Sequence, residues 1–109
     1  MDIKNEKINN VAVISLTGEL DYNTYKDFNR AAAAVIEKKL ADRIAVVMSD
    51  VSHIDSMGLG TITKLWKSAD ASGMEFSLVN VPKNIAGMIK LVNLDKRIKV
   101  YDSVEEAAG

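Results

Sequence analysis

The chain has 109 residues, of which 48% are hydrophobic, and this composition suits one compact domain with a packed core rather than a disordered chain. Its 14 basic and 15 acidic residues leave a net charge of −1, so the electrostatic attraction that drives binding to nucleic acid or to an anionic membrane is absent. The lack of cysteine excludes disulfides, thiol catalysis and cysteine-ligated metals.

The beginning of the chain and its hydropathy suggest a compartment. Residues 1–4, Met-Asp-Ile-Lys, lack the pattern of a signal peptide, and no apolar run approaches the length of a membrane span. We therefore expect a cytoplasmic protein that has neither a membrane nor a nucleic acid as its partner.

The first half of the chain predicts two strands, a helix and a third strand. Residues 3–8 and the alternating residues 11–17 flank the turn signal Asn9-Asn10, and together they predict a β-hairpin. We expect Gly18-Glu19-Leu20 to end the second strand and Asp21 to cap the first helix. Residues 44–48 form an apolar, β-branched run that is typical of a central strand. The helix between them has an apolar face that repeats at spacings of three and four: Tyr25, Phe28, Ala32, Val35 and Ile36.

The second half continues the alternation of strands and helices. A short loop after Met48 is expected to lead into a helix from Ser56 to about Ser72, with Trp66 in its apolar stripe and therefore in the core. Residues 76–81 and 98–101 predict strands, and Pro82 starts a helix between them. A capping box, Ser103 with Glu106, predicts a short final helix. The order β-β-α-β-α-β-α-β with a helical tail predicts a single domain with a mainly parallel sheet.

The segment Asp55-Ser56-Met57-Gly58-Leu59-Gly60 places a serine hydroxyl at a strand-to-helix junction. In an open α/β sheet this edge is where ligands and partners dock, and the amides at a helix N-terminus favour negative charge. Ser56 could be an N-cap that contributes about 1 kcal/mol, a catalytic nucleophile, or a hydroxyl that a kinase phosphorylates. From the residues alone, the N-cap is favoured over the phosphoacceptor.

A catalytic role for Ser56 would require a base and an orienting acid. His53 is the only histidine, and Asp50 and Asp55 flank both residues, so a triad would have to form within one cramped loop. The segment also lacks the first glycine of a nucleophile elbow, because Ile54 stands in that position. We therefore predict no catalytic residues.

Gly58 and Gly60 match only part of a dinucleotide-binding loop, because Thr63 stands where the third glycine is required. Each glycine weakens a helix by about 1 kcal/mol relative to alanine, so two of them need a local reason. We expect that they allow another backbone, or a partner, to approach closely.

Metal binding has little support in the sequence. One histidine and no cysteine cannot build a typical zinc site. Three carboxylates could hold magnesium only if their strand ends converge, and capping or solvation is favoured for each of them: Asp21, Asp50 and Asp55. No metal and no cofactor is predicted.

Two motifs resemble the STAS domain family, and specifically the bacterial anti-sigma-factor antagonists. Residues 16–21, Leu-Thr-Gly-Glu-Leu-Asp, are similar to the strand-end motif before the first helix of that family, and residues 55–60 are similar to its Asp-Ser-x-Gly-Leu-Gly signature. The resemblance covers essentially the whole chain. It implies one STAS domain over residues 1–109, an α/β fold with a small mixed sheet of four to five strands and helices mainly on one face.

The resemblance also implies a function. In the family the serine at the position of Ser56 is phosphorylated by an anti-sigma factor that is itself a serine kinase. The unphosphorylated antagonist binds that kinase and releases the sigma factor. The phosphorylated form does not bind, and a serine phosphatase converts it back to the unphosphorylated form. The implied partner-binding residues are Asp21, Asp55, Ser56, Met57, Gly58, Leu59 and Gly60.

The sequence leaves open the orientation of the Met57 side chain and one alternative function. Met57 stands where family members often have a small residue, and it could either be exposed at a docking surface or pack inward. The alternative function is a constitutive STAS interaction module of a signalling scaffold or transport complex, in which Ser56 is only a cap.

Overall fold

The computed structural model describes all residues from 1 to 109 and contains one five-stranded sheet, four α-helices and a 3-10 turn. The elements in chain order are β1 (Asp2–Ile8), β2 (Val11–Leu20), α1 (Tyr25–Lys38), β3 (Arg43–Ile54), α2 (Ser56–Ala71), β4 (Glu75–Val79), α3 (Lys83–Leu91), the 3-10 turn (Leu94–Lys96), β5 (Lys99–Tyr101) and α4 (Val104–Ala108). No helix has the length and apolar character that crossing a membrane would require.

The strands lie in the sheet in the same order as in the chain, from β1 to β5. β1 and β2 form the predicted antiparallel hairpin, whose turn residues Asn9 and Asn10 both have positive φ, a conformation that asparagine tolerates. All other neighbouring strands are parallel, because each connection between them crosses over through helical structure. The prediction of a small mixed sheet is therefore confirmed.

Three helices cover one face of the sheet, as expected. The larger core cluster joins the inward faces of α1, α2 and α3 to alternating residues of the central strands, among them Phe28, Ile62 and Ile85 from the helices and Ile14, Val46 and Leu78 from the strands. The short helix α4 packs on the opposite face, where Ala107 closes a second cluster with Val11, Val13, Ala45 and Val79. Ser103 caps α4 as predicted, since its Oγ accepts a hydrogen bond from the Glu106 amide at 3.2 Å.

Two expected strand ends are wrong. β2 does not end at residue 17, and the residues after Met48 do not form a loop, because residues 18–20 of β2 pair with residues 51–54 of β3. Gly18 has φ of +113° beside an irregularity in the register, and this conformation lets β2 continue through the bend. Four exposed polar residues made the end of β3 look like a loop: Ser49, Asp50, Ser52 and His53.

The extension of β3 fixes the position of the junction between β3 and α2. Val51 and Ile54 are buried, so the strand stays attached to the core until the residue before Asp55. The helix α2 then begins immediately, without a flexible connection. The junction that carries Ser56 is therefore held by a paired strand on one side and by a packed helix on the other.

Candidate functional site

Asp55 is the residue that joins α2 to the rest of the fold. It occupies the N-cap position with extended backbone (φ −113°, ψ −174°), and its Oδ1 accepts a hydrogen bond from the Gly58 amide at 2.9 Å. Its Oδ2 accepts a second bond from the Tyr22 amide at 3.1 Å, and its own amide donates to the Leu20 carbonyl at 3.3 Å. One carboxylate therefore links the start of α2 to the β2–α1 loop.

These hydrogen bonds favour the charged form of the Asp55 carboxyl. The pKa of Asp55 is lowered from its ordinary value of 3.8, first by the Gly58 amide, against some desolvation, with smaller contributions from backbone amides and from nearby His53. The site therefore has a fixed negative charge at neutral pH, directly beside the serine.

Ser56 is the first residue of α2 and is exposed. Because Asp55 caps the helix, the prediction that Ser56 is the cap is wrong. The Ser56 hydroxyl makes none of the side-chain hydrogen bonds within the protein, so it has no structural role that a modification would interrupt. Its amide also has no acceptor among the backbone hydrogen bonds, which leaves a donor free at the positive end of the helix dipole.

Asp21 does not cap α1 as expected, because Thr24 stands at the N-cap position of that helix. The Asp21 Oδ1 instead accepts a hydrogen bond from the Asn23 amide at 2.9 Å, and its amide donates to the Thr24 hydroxyl at 3.0 Å. Asp21 thus stabilises the tight turn between β2 and α1. Since the Tyr22 amide binds Asp55, this turn lies against the Ser56 junction.

The two glycines of the motif have different environments. Gly58 is buried, and a Cβ built on it would lie 2.5 Å from the Leu20 carbonyl oxygen and 2.7 Å from the Ile54 Cγ1. Close backbone approach, as expected, therefore explains Gly58. Gly60 is exposed, and a Cβ built on it would have no neighbour within 4 Å. Packing within the chain gives no reason for a glycine there.

The apolar residues of the motif are each half-buried. Met57 neither extends freely into solvent nor enters the core, and its carbonyl accepts a hydrogen bond from the Thr61 hydroxyl at 2.8 Å. Leu59 packs against the larger core cluster and also lines a surface groove beside Ser56. The structure therefore brings six consecutive motif residues and the Asp21 turn to one edge of the sheet.

The side chains at this edge are not arranged as a catalytic triad or as a set of metal ligands. His53 is exposed on β3 and makes no hydrogen bond with Ser56. No group of three or more His, Cys, Asp or Glu side chains is arranged to hold a metal ion. The residues that could polarise or activate the serine hydroxyl are therefore not assembled around it.

One feature beside Ser56 was not predicted from the sequence. A groove with a volume of about 420 Å³ runs between α2 and the segment after α3, and Trp66, predicted to be a core residue, is only half-buried in its wall. We call it the α2–α3 groove, and its lining is Ser56, Leu59, Gly60, Thr63, Trp66, Lys67, Val92, Leu94 and Arg97. On α2, Ser56, Gly60, Thr63 and Lys67 recur at helical spacing, and this polar and glycine-containing stripe is the sequence pattern that could have indicated the groove.

A family model described as the STAS domain matches residues 2–107. The chain belongs to the STAS domain family. A Thermotoga maritima protein assigned as an anti-sigma factor antagonist is 32% identical over 100 residues, which cover 92% of this chain and 88% of that protein. The anti-sigma F factor antagonist of Paenibacillus polymyxa is 24% identical over 103 residues, which cover 94% of this chain and 88% of that protein.

Solved structures agree with this assignment. The crystal structure of the Thermotoga maritima protein has a TM-score of 0.90 at 30% identity and covers 96% of this chain and 90% of its own. SpoIIAA of Bacillus, solved in its unphosphorylated and phosphorylated forms, has TM-scores of 0.77 and 0.78 at 20% identity. The matches cover 98% and 97% of this chain, and 94% and 96% of the SpoIIAA chains. At that identity the likeness establishes the fold.

The family assignment confirms the predicted resemblance and the predicted fold class. This STAS protein is of the anti-sigma factor antagonist family, whose members are regulatory binding proteins and not enzymes.

Proposed function

We propose that this STAS protein is an antagonist controlled by phosphorylation of Ser56. In its unphosphorylated form it binds an anti-sigma factor that is a serine kinase, and the sigma factor is released. Phosphorylation of Ser56 by that kinase abolishes the binding, and a serine phosphatase restores it. Asp21 and residues 55–60 form the edge that contacts the kinase.

The observation that carries this proposal is the position of the Ser56 hydroxyl. It is exposed, it has no internal hydrogen bond, and it lies on the first residue of a helix that Asp55 already caps. A phosphate there would be stabilised by the positive end of the helix dipole and could accept a hydrogen bond from the free Ser56 amide. The fold therefore has no reason to be lost when Ser56 is phosphorylated.

The same phosphate would change the electrostatics of the edge. It adds about −1.5 to −2 charges at neutral pH, next to the Asp55 carboxylate whose pKa is lowered. Among the groups that shift the pKa of Asp55, His53 is the only side chain that could carry a compensating positive charge. A kinase surface that fits the neutral hydroxyl would meet a concentrated negative charge instead, and like charges across an interface oppose binding.

The proposal is tested by phosphosite mapping and by binding measurements. Mass spectrometry of the protein recovered from its native cells is expected to find a phosphate on Ser56. Binding to each purified anti-sigma serine kinase of the same organism is then compared for wild type, Ser56→Ala and Ser56→Asp. We expect Ser56→Ala to bind constitutively and Ser56→Asp to bind weakly, with unchanged thermal unfolding.

A matched control separates a switch from a general charge effect. Ser68→Asp places the same new charge on an exposed serine of the same helix. It is expected to leave kinase binding unchanged. Equal binding by Ser56→Ala and Ser56→Asp, together with an unmodified Ser56 in cells, would favour the constitutive interaction module and refute the switch.

A further inference from the structure

The α2–α3 groove begins at the proposed switch residue and extends along the helix away from it. The α2 residues that line it run from Ser56 to Lys67, and these two are eleven residues apart, or about 16 Å along the helix axis at 1.5 Å per residue. Its walls are apolar: Leu59 and Trp66 on α2 face Val92 and Leu94. It is therefore long enough for several residues of an extended or helical peptide segment.

The rim of the groove is more apolar than a solvent-exposed surface requires. Leu91 is 84% exposed and Val92 is 52% exposed, and they follow one another at the end of α3. Val92 lines the groove together with the half-buried Trp66, and Leu91 is its exposed neighbour in the chain. Exposed apolar surface of this kind marks an interaction site.

The charge of the groove indicates the chemistry of what it binds. Lys67 and Arg97 line it, and no aspartate or glutamate does. Neither cation takes part in any of the four ion pairs of the protein. The adjoining depression, which Trp66 and Arg97 also line, contains the carboxylates of Asp70 and Glu75. The groove is thus a cationic region on a protein with net charge −1.

Gly60 adds a second, independent observation. It lies on the groove-lining stripe of α2, and a side chain at this position would enter open space, not the core. A glycine in the interior of a helix costs about 1 kcal/mol relative to alanine, and no contact within the chain compensates for that cost. Because Gly60 has no side chain, the helix backbone at this point of the groove is unobstructed, and a group of a bound partner can approach it closely.

We propose that the α2–α3 groove is a docking site for an acidic segment of the kinase, with an apolar side chain seated against Trp66 and carboxylates paired with Lys67 and Arg97. This inference rests on the proposed function, because the groove is continuous with Ser56 at its N-terminal end. It extends the proposed contact surface from residues 55–60 along α2 to Trp66 and Lys67.

The first test fills the floor of the groove without disturbing the fold. Gly60→Leu is expected to stabilise the isolated protein, because a Cβ at position 60 has no neighbour within 4 Å and leucine favours a helix over glycine, and to weaken kinase binding about tenfold or more by occupying the groove. Gly87→Leu is the matched control, since Gly87 is an exposed α3 glycine that has equal open space and does not line the groove. It is expected to stabilise the fold and leave binding unchanged.

The second test reverses the charge of the groove. Lys67→Glu with Arg97→Glu is expected to weaken binding about tenfold or more, and the wild-type affinity is expected to fall as salt is raised. Lys26→Glu with Lys38→Glu makes the same net change on exposed positions of α1, outside the groove, and is expected to have a much smaller effect. Equal losses in both double variants would show an effect of net charge and would overturn the proposal.

Trp66 supplies a direct readout of the occupant, because it is the only tryptophan of the chain. In ¹⁵N-labelled protein its indole N–H signal is expected to shift when unlabelled kinase is added. A shift that depends on the concentration of the protein alone, with self-association in sedimentation, would show that a second copy fills the groove and would refute docking of the kinase.

The results distinguish the two proposals. Weak binding by Ser56→Asp with normal binding by the Gly60→Leu and charge-reversed variants would refute the groove proposal and leave the switch intact. Loss of binding in the groove variants, with equal binding by Ser56→Ala and Ser56→Asp, would keep the groove as the docking site and refute the switch. Failure of the wild type to bind any of the kinases would refute both.

Discussion

The substitution Gly58→Ala tests the packing that fixes the start of α2. The added Cβ would lie 2.5 Å from the Leu20 carbonyl oxygen and 2.7 Å from the Ile54 Cγ1, both of which are closer than carbon atoms tolerate. One of these neighbours is backbone of β2 and cannot rotate away. The helix start or the strand must therefore move, and the Asp55 hydrogen bond to the Gly58 amide would be strained with it.

Two opposing effects set the size of the change. Overpacking that moves backbone costs up to about 3 kcal/mol, whereas alanine in place of glycine in a helix gains about 1 kcal/mol. We therefore expect the free energy of unfolding to fall by about 2 kcal/mol. With an unfolding entropy of about 2.1 cal/mol/K per residue, a chain of 109 residues loses about 4 °C in Tm per kcal/mol, or about 9 °C here.

The assay is thermal unfolding followed by circular dichroism, with a denaturant titration to obtain the free energy. Gly60→Ala and Gly87→Ala are the controls, because both lie in helices with no neighbour within 4 Å of the new Cβ. Each is expected to raise the Tm by about 4 °C through helix propensity alone. If Gly58→Ala were as stable as these two variants, the close contact of α2 with Leu20 would be refuted.

The remaining predictions concern the caps and the pH dependence. Asp55→Ala is expected to lower the free energy of unfolding by about 1 kcal/mol, whereas Asp55→Asn, which keeps an N-cap acceptor, loses little; equal losses would contradict the capping role. The pKa of Asp55 is lowered in the folded protein from its ordinary value of 3.8. The ionised carboxylate therefore stabilises the fold when the pH is above that ordinary pKa, and this stabilisation is lost as the pH falls through the lowered pKa of the folded state. The Tm of Asp55→Asn is therefore expected to fall less steeply below pH 4 than that of wild type or of Asp95→Asn, which removes one exposed carboxylate elsewhere. Ser103→Ala is expected to accelerate hydrogen exchange of the Glu106 amide, which NMR measures, while amides of α1 are unaffected.

The sequence predicted the parts of the fold where burial repeats with a regular period. Residues 44–48 gave a continuous apolar run, and the helices gave spacings of three and four, because one face of each element contacts the core. The hairpin was predictable because Asn9 and Asn10 suit positive φ. The end of β3 was missed because Val51 and Ile54 are buried among four exposed polar residues, a pattern that an irregular register produces and that a period-two search does not detect.

The candidate site was predictable in position but not in detail. The motif at residues 55–60 indicated the serine at the strand-to-helix junction, yet neighbouring Asp55 and Ser56 can both cap a helix and only the geometry assigns the cap to Asp55. The α2–α3 groove depends on how the end of α3 lies against α2, and residues such as Arg97 and Lys67 are 30 positions apart in the chain. Separations of this kind leave no local pattern in a single sequence.

The agreement between strand order and chain order has a consequence for how this protein assembles. Every strand pairs with the strand that precedes it, so each addition to the sheet closes only the single connection between two consecutive strands. The entropy lost on closing a loop grows with its length, so this topology avoids the largest closure costs and favours rapid folding. Once β4 has paired with β3, the chain has reached residue 79, and the strand and helix that hold Ser56 are already flanked by their neighbours. We expect the edge that carries Ser56 to form while β5 and α4 are still unfolded.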